Sequence, residues 1–247
     1  MVPTSDPSQI LPPGSPSGRI RLSELFHSIQ GEGSLTGKPS VFVRTTGCNL
    51  RCWFCDTPYT SWNPEGEFAS LHELRRRILD YKCMHVVVTG GEPLLQPAVV
   101  PLVQNLRDAG LHVTIETAAT LFRPVPASLF SISPKLANST PPEQRSLKWR
   151  KRHELTRTNL GVVRDMLSTA ETQFKFVIDH PSDVEEVHNY LEGLPEVRND
   201  QVWLMPQAVD QQAYAEKKAW LEPLAQKHSF QFSPRLHIER WGNIRGK

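Results

Sequence analysis

The chain is poor in cysteine, poor in net charge and free of long apolar runs, and each shortage closes off a class of protein. Four cysteines in 247 residues do not make a disulfide framework, and a chain of this length can bury enough core to do without one. A reducing, cytoplasmic setting is the expectation that follows. No apolar stretch approaches the roughly 20 residues of a membrane-spanning helix, so no membrane partner is expected. Lys and Arg number 28 against 26 Asp and Glu, for a formal net charge of +2; bulk charge gives no argument for a nucleic-acid partner. Internal repeats are absent. Met1 to Gly18 is rich in Pro, Ser and Gly and has no apolar h-region. The reading is a disordered extension over residues 1–19, not a secretory signal, followed by one domain over residues 20–247.

The cysteines that are present lie together. Cys48, Cys52 and Cys55 have the spacing C-x3-C-x2-C in the run Gly47-Cys48-Asn49-Leu50-Arg51-Cys52-Trp53-Phe54-Cys55-Asp56-Thr57. Structural zinc and ordinary electron-transfer clusters usually take four protein ligands. Three thiolates leave one metal position for something other than protein, which is the arithmetic of a catalytic iron–sulfur cluster. Cys83 lacks the partner knuckle that structural zinc sites use, and a small buried hydrophobe is its simplest role.

Around this loop, β-rich runs alternate with amphipathic ones. Strands are expected over residues 39–45, 85–89, 112–116, 129–133, 173–178, 201–204 and 229–232. Helices are expected from Leu71 to Leu79 and over residues 99–107, 159–168, 182–191 and 211–227. Ser70-x-x-Glu73 and Ser182-x-x-Glu185 have the pattern of capping boxes. The alternation specifies an α/β fold with a parallel sheet and helical crossovers. About six βα units are countable, fewer than the eight of a closed barrel. A partial, TIM-like β/α barrel is therefore expected, with the cysteine loop after its first barrel strand. The cysteine loop, Gly90-Gly91-Glu92, Glu116-Thr117, Ser133-Pro134-Lys135 and Met205-Pro206-Gln207 all fall at carboxyl ends of strands, where such folds gather catalytic groups. Residues 137–158 break the rhythm with Arg145, Lys148, Arg150, Lys151, Arg152 and Arg157. They suit a solvated basic insertion, or a docking patch for an acidic electron-donor protein.

The cysteine spacing, with Phe54 before the last cysteine, resembles the radical S-adenosylmethionine superfamily. Val88-Thr89-Gly90-Gly91-Glu92-Pro93 resembles its second, glycine-rich signature. Phe26-His27-Ser28-Ile29-Gln30-Gly31-Glu32-Gly33, Val41 to Cys48, Cys55-Asp56-Thr57, Ser133-Pro134-Lys135 and Ser233-Pro234-Arg235-Leu236-His237 are similar to the 7-carboxy-7-deazaguanine synthase family, from Ile20 to Lys247. That resemblance implies a 4Fe–4S cluster, S-adenosylmethionine and Mg2+ as cofactors. It implies conversion of 6-carboxy-5,6,7,8-tetrahydropterin to 7-carboxy-7-deazaguanine and ammonia by radical ring contraction, for queuosine and other 7-deazapurines. It further implies a flavodoxin-like reductant and a homodimer.

Residue roles follow from the same resemblance. Cys48, Cys52 and Cys55 would hold the cluster and Thr57 would ligate magnesium, unless it simply caps its loop. Ile29, Gln30, Gly31 and Thr89 would contact the pterin, and Arg44 would pair with its carboxylate unless it is a surface charge. Phe54, Gly90, Gly91, Glu92, Glu116, Ser133, Pro134 and Lys135 would line the S-adenosylmethionine site. Strand alternation puts Gln173, Lys175 and Val177 on one face, either inside the barrel or on a wet edge. Gln173, Lys175, Gln207 and His237 join the candidates for pterin recognition. Trp53, Tyr59 and Trp62 either shield the cluster or pack its loop. One departure is visible: Glu116-Thr117-Ala118-Ala119-Thr120 stands where the family commonly has Glu-Thr-Asn-Gly-Thr. The rival readings are a glycyl-radical activase, with the same cysteine spacing, and a zinc-binding interaction module.

Overall fold

The computed structural model describes residues 18–246, so the expected N-terminal extension falls outside the described residues up to Pro16-Ser17. The described residues open with a long strand, β1 (Arg19–Ile29), followed by β2 (Pro39–Thr45) and the short β3 (Glu67–Ser70). β1 pairs antiparallel with both β2 and β3. From β2 the sheet runs parallel through β4 (His85–Gly90), β5 (His112–Thr117), β6 (Leu129–Ile132), β7 (Glu171–Ile178), β8 (Val202–Pro206) and β9 (Gln231–Phe232). The strand order of this nine-stranded sheet is β3-β1-β2-β4-β5-β6-β7-β8-β9, and no ladder joins β3 to β9. The barrel is open, as expected, but with one reversed strand, β1, and a short edge strand, β3, that periodicity did not signal.

The helices are α1 (Pro58–Ser61), α2 (Leu71–Asp80), α3 (Val99–Asp108), α4 (Glu143–Thr156), α5 (Leu160–Leu167), α6 (Asp183–Glu192), α7 (Gln211–Lys227) and α8 (Leu236–Trp241). Alternation along the strands divides the sheet into two surfaces. Val86, Val88, Val113, Ile115, Phe130, Ile132, Phe174 and Phe176 share one core with Leu74, Ile78, Leu102, Leu106, Val163, Met166 and Val187 from the helices. Phe176 meets Tyr190 of α6 edge-on, which fixes that face of β7 as the outer one. Each such phenylalanine contributes roughly 1.5–3 kcal/mol by leaving water. The opposite residues, Thr89, Glu116, Ser131, Lys175 and Val177, line the interior. Because β7 lies between β6 and β8, Lys175 faces the barrel interior and not a wet edge.

Two local expectations are corrected. Ser70 caps α2 by accepting from the Glu73 N–H, but Ser182 makes no cap bond. Asp183 takes over: its Oδ2 accepts from the N–H groups of Asp179 at 2.7 Å and His180 at 2.9 Å. A carboxylate is a stronger acceptor than the neighbouring hydroxyl, and it organises the turn instead. Residues 137–158 are also more than a solvated insertion. Ser146 is extended there (φ −175°, ψ 106°) and accepts from the Trp149 N–H, so α4 is a capped helix entered through a kink. His153 on its inner face is fully buried.

Candidate active site

The cysteine loop leaves the carboxyl end of β2 and is held by the turn that follows β4. The Glu92 N–H donates to the Gly47 carbonyl at 2.9 Å. A Cβ on Gly91 would stand 2.3 Å from that carbonyl oxygen, and one on Gly90 would stand 2.1 Å from the Thr45 carbonyl oxygen. The two glycines are therefore dictated by backbone approach, independently of any ligand. Asn49 ties the same loop to the β5 end, its amide exchanging hydrogen bonds with the Thr120 hydroxyl. Cys48, Cys52 and Cys55 all open onto one cavity, and none is in a disulfide. The Leu50 N–H donates to Cys48 Sγ at 3.4 Å, and the Ser61 hydroxyl lies 3.2 Å from Cys55 Sγ. Burial pushes the Cys48 and Cys52 thiols up to about 12, so metal binding there must displace protons.

Among the described residues no group of three or more His, Cys, Asp or Glu side chains is gathered to hold one metal ion. Three free thiols on one cavity are the donor set that a cluster with one thiolate on each of three irons would use.

The cavity is also lined by a chain of paired charges, in which Lys175 and Arg235 are buried and their carboxylate partners partly so. Lys175 Nζ donates to Glu32 Oε2 at 2.8 Å and to Glu116 Oε1 at 3.3 Å. Arg235 Nε donates to Glu32 Oε1 at 3.2 Å, and its Nη2 reaches Asp56. Burial alone would drive Lys175 toward neutrality, but Glu116 and Glu32 outweigh it and hold the ammonium above its usual range. Burial would likewise raise Glu32, yet Lys175 and Arg235 hold it well below the usual carboxylate range. Burial lowers His237, whose Nε2 is 3.9 Å from Glu32 Oε1. Gln30 donates to Glu116 Oε1 at 3.1 Å and Thr89 to Glu116 Oε2 at 2.8 Å. The loop carrying Gln30 is clamped against the last part of the chain. Leu236 N–H donates to the Gly31 carbonyl, Gly33 N–H donates to the Ser233 hydroxyl, and a Cβ on Gly31 would stand 2.5 Å from His237 Nδ1.

Most of the expected residues line this one cavity: Ile29, Gln30, Gly31, Arg44, Phe54, Thr57, Thr89, Gly90, Gly91, Glu116, Ser133, Lys135, Lys175, Gln207 and His237, with the three cysteines. Three expected residues lie outside its lining. Glu92 is fully buried and accepts from Leu94 N–H, Thr117 Oγ1 and Ala118 N–H, bracing the β4 turn against the β5 end. Gln173 spends its amide on Ser34 N–H and Ser131 Oγ, beneath the cavity floor. Pro134 is buried between two cavity residues. Gln207 accepts from Lys217. Lys135 turns back on the carbonyl and hydroxyl of Ser133. Arg44 Nε lies 2.7 Å from Glu24 Oε2 as an ion pair, yet off the hydrogen-bond direction, so this buried N–H has no partner. Sequence reasoning gave no role to Glu32, Asp56 or Arg235, nor to Asn243, Ile244 and Arg245, which close one side. The first three are the charged letters of motifs already singled out, which was the available signal.

Comparison with known proteins agrees with this geometry. The sequence model of the Radical SAM superfamily matches residues 42–134. The chain is 44% identical to 7-carboxy-7-deazaguanine synthase of Rhodopirellula baltica over 92% of this chain and 88% of that one. It is 38% identical to the protein of the same name from Halobacterium salinarum, with 93% of each chain covered. In structure it resembles QueE from Escherichia coli, with a TM-score of 0.62 at 23% identity over 93% of this chain and 98% of that one. It also resembles Streptococcus suis SuiB bound to S-adenosylmethionine, with a TM-score of 0.53 at 14% identity over 77% and 48% of the two chains.

Proposed function

The chain belongs to the 7-carboxy-7-deazaguanine synthase family, and from that premise we propose that it converts 6-carboxy-5,6,7,8-tetrahydropterin to 7-carboxy-7-deazaguanine and ammonia. The product would enter queuosine or a related 7-deazapurine. The observation that carries this reading is one cavity lined both by the three cysteine thiols and by Gln30, Arg44, Thr89, Lys175 and His237. The family is a radical S-adenosylmethionine family. A 4Fe–4S cluster on Cys48, Cys52 and Cys55 would supply the electron that cleaves S-adenosylmethionine and so the carbon radical that opens the reaction.

The protein's own part is placement and exclusion. Gly90 and Gly91 expose backbone beside the cysteine loop, with Ser133 and Lys135 on the neighbouring strand end, and these would receive S-adenosylmethionine. Arg44 lines the cavity with its Nε beside Glu24, and the rest of its guanidinium fork is the better donor for a substrate carboxylate. Glu116 is bonded to Gln30, Thr89 and Lys175, so we assign it to the pterin side, where a carboxylate can accept from pterin N–H groups. Lys175 orients and balances charge; its raised pKa makes it a poor proton donor at neutral pH. Thr57, beside Asp56 at the cavity wall, offers magnesium a hard oxygen. Phe26, Phe42, Leu50 and Phe54 keep bulk water from the radical. Magnesium dependence, a flavodoxin-like reductant, a homodimer and a cytoplasmic location complete the reading. No helix among the described residues is long and apolar enough to cross a membrane.

Anaerobic reconstitution, reduction and incubation with S-adenosylmethionine, magnesium and carboxytetrahydropterin should give a brown protein that releases 7-carboxy-7-deazaguanine. S-adenosylmethionine cleavage with the pterin left untouched would favour a radical activase instead. A colourless protein holding one zinc would overturn both.

A further inference from the structure

The basic segment over residues 137–158 is the largest feature that the reaction does not use. Its helix α4 has two faces of different character. The inner face is fastened to the stretch between the first two cysteines. His153 Nδ1 accepts from the Arg51 N–H at 3.2 Å. The Arg51 guanidinium lies 3.9 Å from the centre of the Trp149 ring and donates to the Cys48 carbonyl at 2.7 Å. Arg145 covers Trp62 at 3.6 Å, and Trp62 donates to the Cys52 carbonyl at 3.0 Å. Arg152 lies over the other part of this stack, 5.2 Å from the Trp149 ring. The helix is thus a plate bolted directly onto the cysteine loop.

The outer face has no partner. Leu147, Lys148, Lys151 and Leu155 are exposed and share one arc of the helix by its 3.6-residue period, with Arg152 at its margin. Leu147 is 49% and Leu155 86% exposed, and Trp53 of the cysteine loop, 43% exposed, is fixed nearby by its bonds to Asn138 and Ser139. A merely solvated helix face intersperses both signs of charge. This arc carries no carboxylate, and Arg145, Lys148, Lys151 and Arg152 form no ion pair among the described residues, whereas Arg150 and Arg157 are paired with Glu143, Glu154 and Glu186. Six Lys and Arg against two Glu between Glu143 and Arg157 exceed the +2 of the whole chain. Exposed apolar side chains ringed by cations of one sign are the complement of an acidic protein surface with an apolar centre.

We propose that the outer face of α4, with Trp53, is the docking surface for an acidic flavoprotein that delivers single electrons. The inference rests on the cluster assignment above. One electron would cross with no bond made or broken: the partner's flavin hydroquinone would be oxidised to the semiquinone, and the cluster that Cys48, Cys52 and Cys55 would hold is the acceptor. The position explains the choice of element, because a partner seated on α4 stands directly over the loop that holds the cluster.

The test uses the full chain and a purified flavodoxin. Lys148→Glu/Lys151→Glu changes two exposed residues outside the cavity, and Lys148→Gln/Lys151→Gln is the milder companion should reversal disturb folding. Calorimetric titration with oxidised flavodoxin should show affinity falling as salt rises, with charge reversal weakening binding roughly tenfold or more. Flavodoxin-driven S-adenosylmethionine cleavage should fall in parallel, while dithionite-driven cleavage and iron content stay at the parent level. Unchanged flavodoxin affinity in both variants would overturn the proposal, as would variants that lose only RNA binding. If the parent chain fails to cleave S-adenosylmethionine with dithionite, the cluster reading itself falls, and the docking proposal with it.

Discussion

Ala119 has φ +53° and is 1% exposed, in the turn where the family commonly has glycine. A left-handed alanine costs roughly 1–2 kcal/mol. Against that, its buried methyl contributes about 0.8 kcal/mol, and alanine restricts the unfolded chain by about 0.4–1 kcal/mol relative to glycine. The terms nearly cancel, so Ala119→Gly should leave denaturant stability unchanged to within about 0.5 kcal/mol. Ala119→Val, which adds β-branching to the same backbone, should cost more than about 2 kcal/mol. Lys175 shows the opposite case, a group whose neighbours decide everything. Lys175→Met takes the shared ammonium from Glu116 and Glu32, and since Glu32 keeps Arg235 and both carboxylates are partly open to the cavity, it should destabilise by about 1–3 kcal/mol. Adding Glu116→Gln should recover part of that loss in urea titrations; simple additivity would show that the two are uncoupled. Strand period alone put Lys175 on the face opposite two phenylalanines, and left it either inside the barrel or on a wet edge until the strand order was known. Its partners were not legible, because Glu32 lies 143 positions away and nothing in a sequence says which distant charges meet.

At the scale of elements, apolar runs such as Val86-Val87-Val88 were readable as strands because a parallel strand is buried on both faces. β1 escaped because much of it is only half-buried, and β3 because four residues carry too little pattern. α4 escaped for a related reason: its inner face is Trp149 and His153, not an aliphatic stripe. His153 makes that helix sensitive to pH. Burial lowers its pKa to about 4, from an unfolded value near 6.5. Between these values the unfolded chain binds the proton and the folded chain does not, so stability is lost as pH falls from about 6.5 toward 4. His153→Gln, which keeps an acceptor for the Arg51 N–H, should lack this contribution. Denaturation of the metal-free protein should therefore show parent and variant converging as pH falls across that window. A stability difference that stays constant with pH would mean that His153 remains neutral in both states or is exposed on folding.

For the molecule as a whole, the open barrel raises the question of what closes the gap between β9 and the β1–β3 edge. Asn243 to Gly246 follow α8 and line the cavity. Asn243 donates to the Asp56 carbonyl. Arg245 pairs with Glu24 of β1 and with Glu65, and lies 3.8 Å from the Tyr59 ring centre. The segment thus runs from the last strands back to the first, across the side where the sheet fails to close. Such a strap could not be read from sequence, since Gly242-Asn243-Ile244-Arg245 has no period and its meaning comes only from the gap it spans. Glu24 is shared: it faces Arg245 on one oxygen and Arg44 on the other. Arg245 is half exposed, and exposed ion pairs contribute only about 0–1 kcal/mol, so Arg245→Ala should barely change thermal stability. It should nevertheless leave Glu24 to Arg44 alone, strengthening the hold on the guanidinium meant for the substrate, and open the cavity beside it. The expected outcome is a several-fold rise in KM for the carboxypterin, with uncoupled S-adenosylmethionine cleavage increasing as water gains entry. Equal losses in stability and in KM would show instead that Arg245 supports the fold, and that the gap is sealed by other means.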